Sequence, residues 1–258
     1  MYKPTFRDAA RMEINMEIRI CKDCNELGKS AAAHVAQVLR DCIARKGHAR
    51  IVLSTGASQF ETLDALTKEP GIKWECVEMF HLDEYVDLPQ THGASFRKYL
   101  QERFVAKVAP LAAAHFVDGT REGITKLTEE LRKEPIDIGL IGIGENGHIA
   151  FNDPPADFDT REAYIIVNLD ERCKRQQMGE GWFASIDEVP KQAVSMTTYQ
   201  IMQCERIVSC VPHKVKAEAV SKTIHAKEVT NLVPATLLKT HPDFILYLDE
   251  NSASGIVK

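Results

Sequence analysis

Short apolar runs alternate along this 258-residue chain with longer stretches in which apolar residues recur every three or four positions. The runs predict strands at 16–20, 51–54, 74–82, 136–143, 163–168, 206–211 and 244–248. The periodic stretches predict helices at 25–46, 60–68, 95–105, 121–133 and 213–224, the first ending near Gly47. The stretch 136–141 is apolar throughout and reads as a buried strand. Strands that alternate with helices make an α/β protein with a mainly parallel sheet covered by helices.

Composition narrows this picture. At 258 residues and 44% apolar, the chain holds enough material for one large α/β domain or two small ones. It has no repeats and no low-complexity linker, so 16–258 reads as a single domain. Residues 1–15 carry charges and no apolar core, which argues against a secretory leader. They read as an extension outside the core, an arm toward a neighbouring subunit in a homo-oligomer. No stretch approaches the roughly 18 apolar residues of a membrane span. The net charge of −5 and the lack of a basic run exclude duplex nucleic acid as a partner. Seven scattered cysteines, an odd number, suit a reduced cytoplasmic protein. Cys21 and Cys24 form a CxxC, but no second pair exists to complete a metal site, and the two read as incidental thiols at a strand–helix junction.

Ligands of open α/β sheets bind beyond the carboxyl ends of the strands. Four segments place glycine or polar residues there: 54–58 (STGAS), Asp83-Glu84, 144–153 and His213-Lys214. In the first, Ser54, Thr55, Gly56, Ala57 and Ser58 join a strand to a helix, as either an ordinary capped turn or an anion cradle of backbone N–H groups and hydroxyls. The spacing is neither GxxxxGK[ST] nor GxGxxG, so nucleotide binding has no support. Asp83 is either part of a solvated acidic turn or a general base whose pKa is raised by Phe80, Leu82 and Tyr85. His148 stands in the glycine-rich run 142–154 (GIGENGHIAFNDP) between Asn146 and Asp153. An isolated loop histidine is often a structural hydrogen-bonder, but a proton-transferring imidazole needs a partner of this kind to fix its tautomer. HxxxxD is not a metal signature, so no metal is expected. Lys214 is either an exposed first-turn lysine or a cation reaching a phosphate held by the STGAS turn.

Together, 82–89 (LDEYVDLP), 142–154, 189–197 (VPKQAVSMT), the PHK stretch and the terminal HPDFILYLDE resemble, in order and spacing, the glucosamine-6-phosphate deaminase (isomerase) family over roughly residues 16–250. The related 6-phosphogluconolactonases share the glycine–histidine loop but continue differently after it. The resemblance implies a Rossmann-like three-layer α/β/α sandwich and conversion of glucosamine 6-phosphate, an amino sugar phosphate, to fructose 6-phosphate and ammonia without a cofactor. It implies Asp83 as the base between C2 and C1, His148 as the ring-opening acid–base, and Asn146 and Asp153 as its orienting residues. It implies phosphate binding by Thr55, Gly56, Ala57, Ser58 and Lys214; the family's further phosphate-binding arginine is Arg172, Arg175 or absent here. Asn146 stands where the family often has aspartate, and Asp153 where it has the longer glutamate. Ala57 replaces a glycine, Gln59 a proline, and 173–183 departs from the family's pattern. The alternatives are lactone hydrolysis, isomerisation of another sugar phosphate, and a non-catalytic sugar-phosphate sensor.

Overall fold

The computed structural model describes residues 16–179 and 181–257, without the side chains of Arg172 and Gln176. The expected extension 1–15 lies outside the described residues. Among these, ten strands form: β1 (Met16–Cys21), β2 (Ala49–Leu53), β3 (Val77–His81), β4 (Asp83–Tyr85), β5 (Ala113–His115), β6 (Ile138–Leu140), β7 (Tyr164–Asn168), β8 (Gln192–Met196), β9 (Arg206–Val211) and β10 (Phe244–Asp249). The main sheet has the order β1-β10-β9-β6-β2-β3-β5. Every neighbouring pair in it is parallel. A second, antiparallel sheet has the order β4-β8-β7.

Alternation along the central strands builds a core on each face. In β2 every residue is buried. Ile51 and Leu53 pack on one side with Leu27, Val35 and Leu39 of α1 (Cys24–Lys46) and Leu63 and Leu66 of α2 (Phe60–Leu66). Val52 packs on the other side with residues such as Leu127 and Leu131 of α4 (Arg121–Leu131). The α3 helix (Phe96–Leu100), continued by a π turn at Gln101–Val105, joins the first layer through Leu100 and Phe104. A two-residue period with both faces buried is what a central parallel strand between helical layers requires.

Local chemistry sets the ends of α1. The Asp23 carboxylate accepts the N–H groups of Asn25 and Glu26, both at 2.9 Å, and Gly47 closes the helix at φ 85°. Gly28 lets α1 lie against α2, since a Cβ there would sit 2.7 Å from the Glu61 carbonyl carbon.

Several elements differ from the sequence expectation. The run 74–82 is not one strand. It begins with a 3-10 turn at Trp74–Cys76, ends as β3 at His81, and after Leu82 enters the second sheet as β4. The expected helix at 213–224 starts as a 3-10 turn, Lys214–Lys216, before α7 (Ala217–His225). The sequence pattern missed β4, β5, β8, α5 (Glu171–Gly179) and α6 (Thr198–Ile201), most of them three to five residues long.

The strand order puts the site where two crossovers diverge. From β2 the chain moves outward to β3 and β5, and it returns on the other side of β2 with β6 and β9. The carboxyl ends of β9, β6, β2 and β3 are therefore adjacent, around the topological switch point.

Candidate active site

One cleft opens at those strand ends, with about 820 Å³ of empty space, its open mouth included. Ser54, Thr55, Gly56, Ala57 and Ser58 line one part of it. Asp83, Gly144, Glu145, His148, Gln177, His213 and Lys216 line the rest. Four segments distant in sequence thus meet around one space.

The STGAS turn is held from several sides. Gly56 has φ 101°, which glycine adopts without strain. Its carbonyl accepts the Tyr99 hydroxyl at 3.0 Å. Gln59 donates to Ser58 Oγ at 3.0 Å and to the Cys210 carbonyl at 3.1 Å, tying the turn to β9. The buried Ser54 hydroxyl has no partner among the described residues, which leaves a donor for an anion in the cleft.

Asp83 and Glu84, adjacent on β4, point to opposite faces and have different fates. Glu84 is structural: it accepts the N–H groups of Arg97 (2.7 Å), Tyr85 (2.9 Å) and Phe96 (3.2 Å) and the Ser95 hydroxyl (2.9 Å). Asp83 faces the cleft, and among the described residues no donor reaches its carboxylate. Burial, helped by the nearby Glu84 charge, pushes the Asp83 carboxyl up to about 8. The turn expected to be either solvated or basic is a buried strand with a strongly basic carboxylate.

His148 Nδ1 lies 2.8 Å from Asp153 Oδ1. Asn146 donates from Nδ2 to the same oxygen at 2.8 Å, while its Oδ1 accepts the His148 backbone N–H at 3.0 Å. Asn146 therefore shapes the loop, and Asp153 bears on the imidazole. Burial would raise the Asp153 carboxyl, but the hydrogen bonds from His148 and Asn146 outweigh it and hold the group at about 2. The shorter aspartate reaches the ring without difficulty. Behind the imidazole is Gly144, where a Cβ would lie 2.2 Å from His148 Nε2.

Of the two readings of Lys214, the structure shows the exposed first-turn lysine and not the cleft cation that the resemblance implies. Its Nζ donates to Ser254 Oγ at 2.6 Å on the exposed surface. Lys216, two residues on and largely buried, lines the cleft instead. The cause is the 3-10 turn Lys214–Lys216, which presents different side chains from a regular helix starting at His213. His213 itself has φ 79°, and its N–H is held by both Asp249 oxygens at 3.2 and 3.0 Å. Arg175 is exposed and sits 4.0 Å from Glu171; the Arg172 side chain lies outside the described residues. Sequence reasoning also missed Gln177, which no motif marks. All seven cysteines are free thiols. Among the described residues, no group of three or more His, Cys, Asp or Glu side chains is arranged to hold a metal ion, and no helix is long and apolar enough to cross a membrane.

A parallel sheet whose switch point opens a cleft lined by a buried carboxylate and an imidazole is an α/β enzyme fold. The chain belongs to the glucosamine-6-phosphate isomerase/6-phosphogluconolactonase family, whose model matches residues 22–246. It is 35% identical over 236 residues to the glucosamine-6-phosphate deaminase of Staphylococcus epidermidis, covering 87% of this chain and 95% of the relative. It is 34% identical over 251 residues to the Shouchella clausii glucosamine-6-phosphate deaminase, covering 93% and 97%. Among solved structures, a monomeric glucosamine-6-phosphate deaminase superposes with a TM-score of 0.83 at 28% identity, covering 93% of this chain and all of that one. A 6-phosphogluconolactonase from Trypanosoma brucei, at 15% identity and TM-score 0.73, shares the fold.

Proposed function

We propose that this protein converts glucosamine 6-phosphate to fructose 6-phosphate and ammonia. The observation that carries this reading is the shared cleft of Asp83, a buried carboxylate pushed up to about 8, and His148, backed by Asp153 at 2.8 Å. The reaction needs two separate proton transfers, and the cleft holds two separate groups that can carry them.

The imidazole moves a proton from the C1 hydroxyl to the ring oxygen, and the pyranose opens to the aldehyde. Asp153 holds the imidazole in one tautomer and orientation. Asp83 then removes the C2 proton while a proton of the amine passes to O1, leaving an enolamine, and Asp83 returns its proton to C1. The product is an imine at C2 whose C–N bond is broken by water, releasing ammonia and the ketose. A carboxylate with a raised pKa is a stronger base than a solvated one, and each acid–base step is worth about 10²–10⁴-fold. The phosphate is bound by the STGAS turn and Lys216 rather than Lys214, and its binding energy positions the sugar. We place the protein in the cytoplasm, where such a substrate occurs, and assign no cofactor to the reaction.

The test is incubation with a panel of 2-amino-hexose 6-phosphates and with 6-phosphogluconolactone, measuring ammonia, ketose and acid release. Ammonia and fructose 6-phosphate in equal amounts support the proposal. Lactone opening without ammonia overturns it in favour of the lactonase, and tight sugar-phosphate binding without product overturns it in favour of a sensor.

A further inference from the structure

Gln177 is the one amide side chain of α5 that lines the cleft, among the described residues. It is nearly buried, at 5% exposure, and it takes no part in the proton transfers described above. Its Oε1 accepts the Tyr85 hydroxyl at 2.7 Å. Tyr85 is itself buried, with its ring packed against Phe96, Phe151 and Phe183. A hydrogen bond from a fixed phenol leaves a primary amide little freedom to rotate. With the oxygen engaged, the Nε2 group becomes the polar end available to the cleft, and among the described residues no acceptor takes it.

The position of this amide follows from strand geometry. Asp83 and Tyr85 are two apart on β4, so their side chains share a face. On α5, Cys173 and Gln177 are four apart and also share a face. Cys173 is buried with Tyr85 and Phe151 in the cluster beneath the cleft, which turns this face of α5 toward the site. Gln177 thus stands on the Asp83 side of the cleft that His148 also lines.

We propose that Gln177 is a specificity-determining residue, donating from Nε2 to the hydroxyl oxygen on the sugar carbon next to C2, the C3 hydroxyl, with Tyr85 as the positioning residue that orients the amide. This rests on the deaminase reading for the identity of the sugar. A donor fixed in a nearly buried site discriminates strongly against an analogue that lacks its acceptor, because the donor is then left unpaired.

The test compares glucosamine 6-phosphate with its 3-deoxy analogue, in the wild type, Gln177→Leu and Tyr85→Phe. Calorimetric Kd values are taken in parallel for the two corresponding reduced, open-chain amino alditol 6-phosphates, which cannot turn over. The wild type favours the 3-hydroxyl compound by about 10–100-fold in kcat/KM and in Kd. Gln177→Leu removes most of that preference by losing affinity for the hydroxyl compound alone. Tyr85→Phe loses an intermediate share with an unchanged fold by circular dichroism. Equal losses on both compounds in Gln177→Leu, or a wild type that does not distinguish them, overturn the proposal and leave Gln177 a packing residue. If no variant releases ammonia, the deaminase reading fails, but the alditol Kd values still decide the role of Gln177.

Discussion

Asp83 stands directly opposite Ser195 across the antiparallel pair β4–β8. The buried Ser195 hydroxyl accepts the Phe151 N–H at 3.0 Å and lies 3.3 Å from Asn152 Nδ2. Asn152 also donates to the Met196 carbonyl at 2.8 Å. The strand bearing the base and the loop bearing the imidazole are therefore fastened to the same residue of a third element. This is how groups 65 positions apart in sequence, such as Asp83 and His148, are held over one cleft.

Ser195→Ala removes the acceptor from a buried backbone N–H. Leaving such a donor unpaired costs about 1–3 kcal/mol, read as a lower Tm by scanning calorimetry. Because the loop carrying His148 loses its anchor, kcat falls by about tenfold or more while KM changes little. A drop in Tm with unchanged kcat would separate the strand pairing from the chemistry.

The Asp83 carboxyl makes two linked pH predictions. As a base it must be unprotonated, so kcat/KM of the wild type rises with pH up to a shoulder near 8. For stability the sign is opposite. The group titrates near 4 in the unfolded chain and near 8 in the fold, so the fold disfavours its ionisation. The wild type therefore loses stability progressively from pH 4 to 8. Asp83→Asn, with turnover down by about 10²–10⁴-fold, gains Tm relative to the wild type over that window and none below pH 4. Parallel melting curves from pH 3.5 to 8.5 check this.

Gly144→Ala tests the packing of the imidazole. The new Cβ would meet His148 Nε2 at 2.2 Å, so the ring must leave its place beside Asp153. Turnover of the cyclic substrate falls by about 10²-fold, and a pre-opened analogue is less affected. Equal losses on both forms would remove His148 from ring opening.

His81 is fully buried, and neither ring nitrogen has a partner among the described residues. Burial, with help from the Arg97 charge, lowers its pKa to about 3. The fold thus disfavours the imidazolium. The stability of the neutral form is complete above about pH 6.5 and is lost as pH falls toward 3. His81→Leu keeps its Tm better than the wild type between pH 6.5 and 4, measured by thermal melts in acetate and citrate buffers.

Much of this was legible in the residues. The long α1 and the buried strands announce themselves because apolar spacing and capping agree, as with Asp23 and Gly47. The loop 142–154 is legible because its glycines, amide, imidazole and carboxylate lie within one run, so local geometry alone brings Asp153 to His148. The second sheet is not, because β4 has three residues, two of them acidic, and is stabilised by partners more than 100 positions away. That Lys216 and not Lys214 lines the cleft is not legible, because the difference lies in the pitch of a single turn. Gln177 carries no sequence signal: the phenol that holds its amide lies 92 positions away.

The most direct measurement is product release by Asp83→Asn beside the wild type, with glucosamine 6-phosphate and with ammonia and ketose assayed together. The wild type should yield both in equal amounts. The variant should bind the sugar phosphate with wild-type affinity and release both products about 10²–10⁴-fold more slowly than the wild type. Release of both by Asp83→Asn at the wild-type rate would contradict the account.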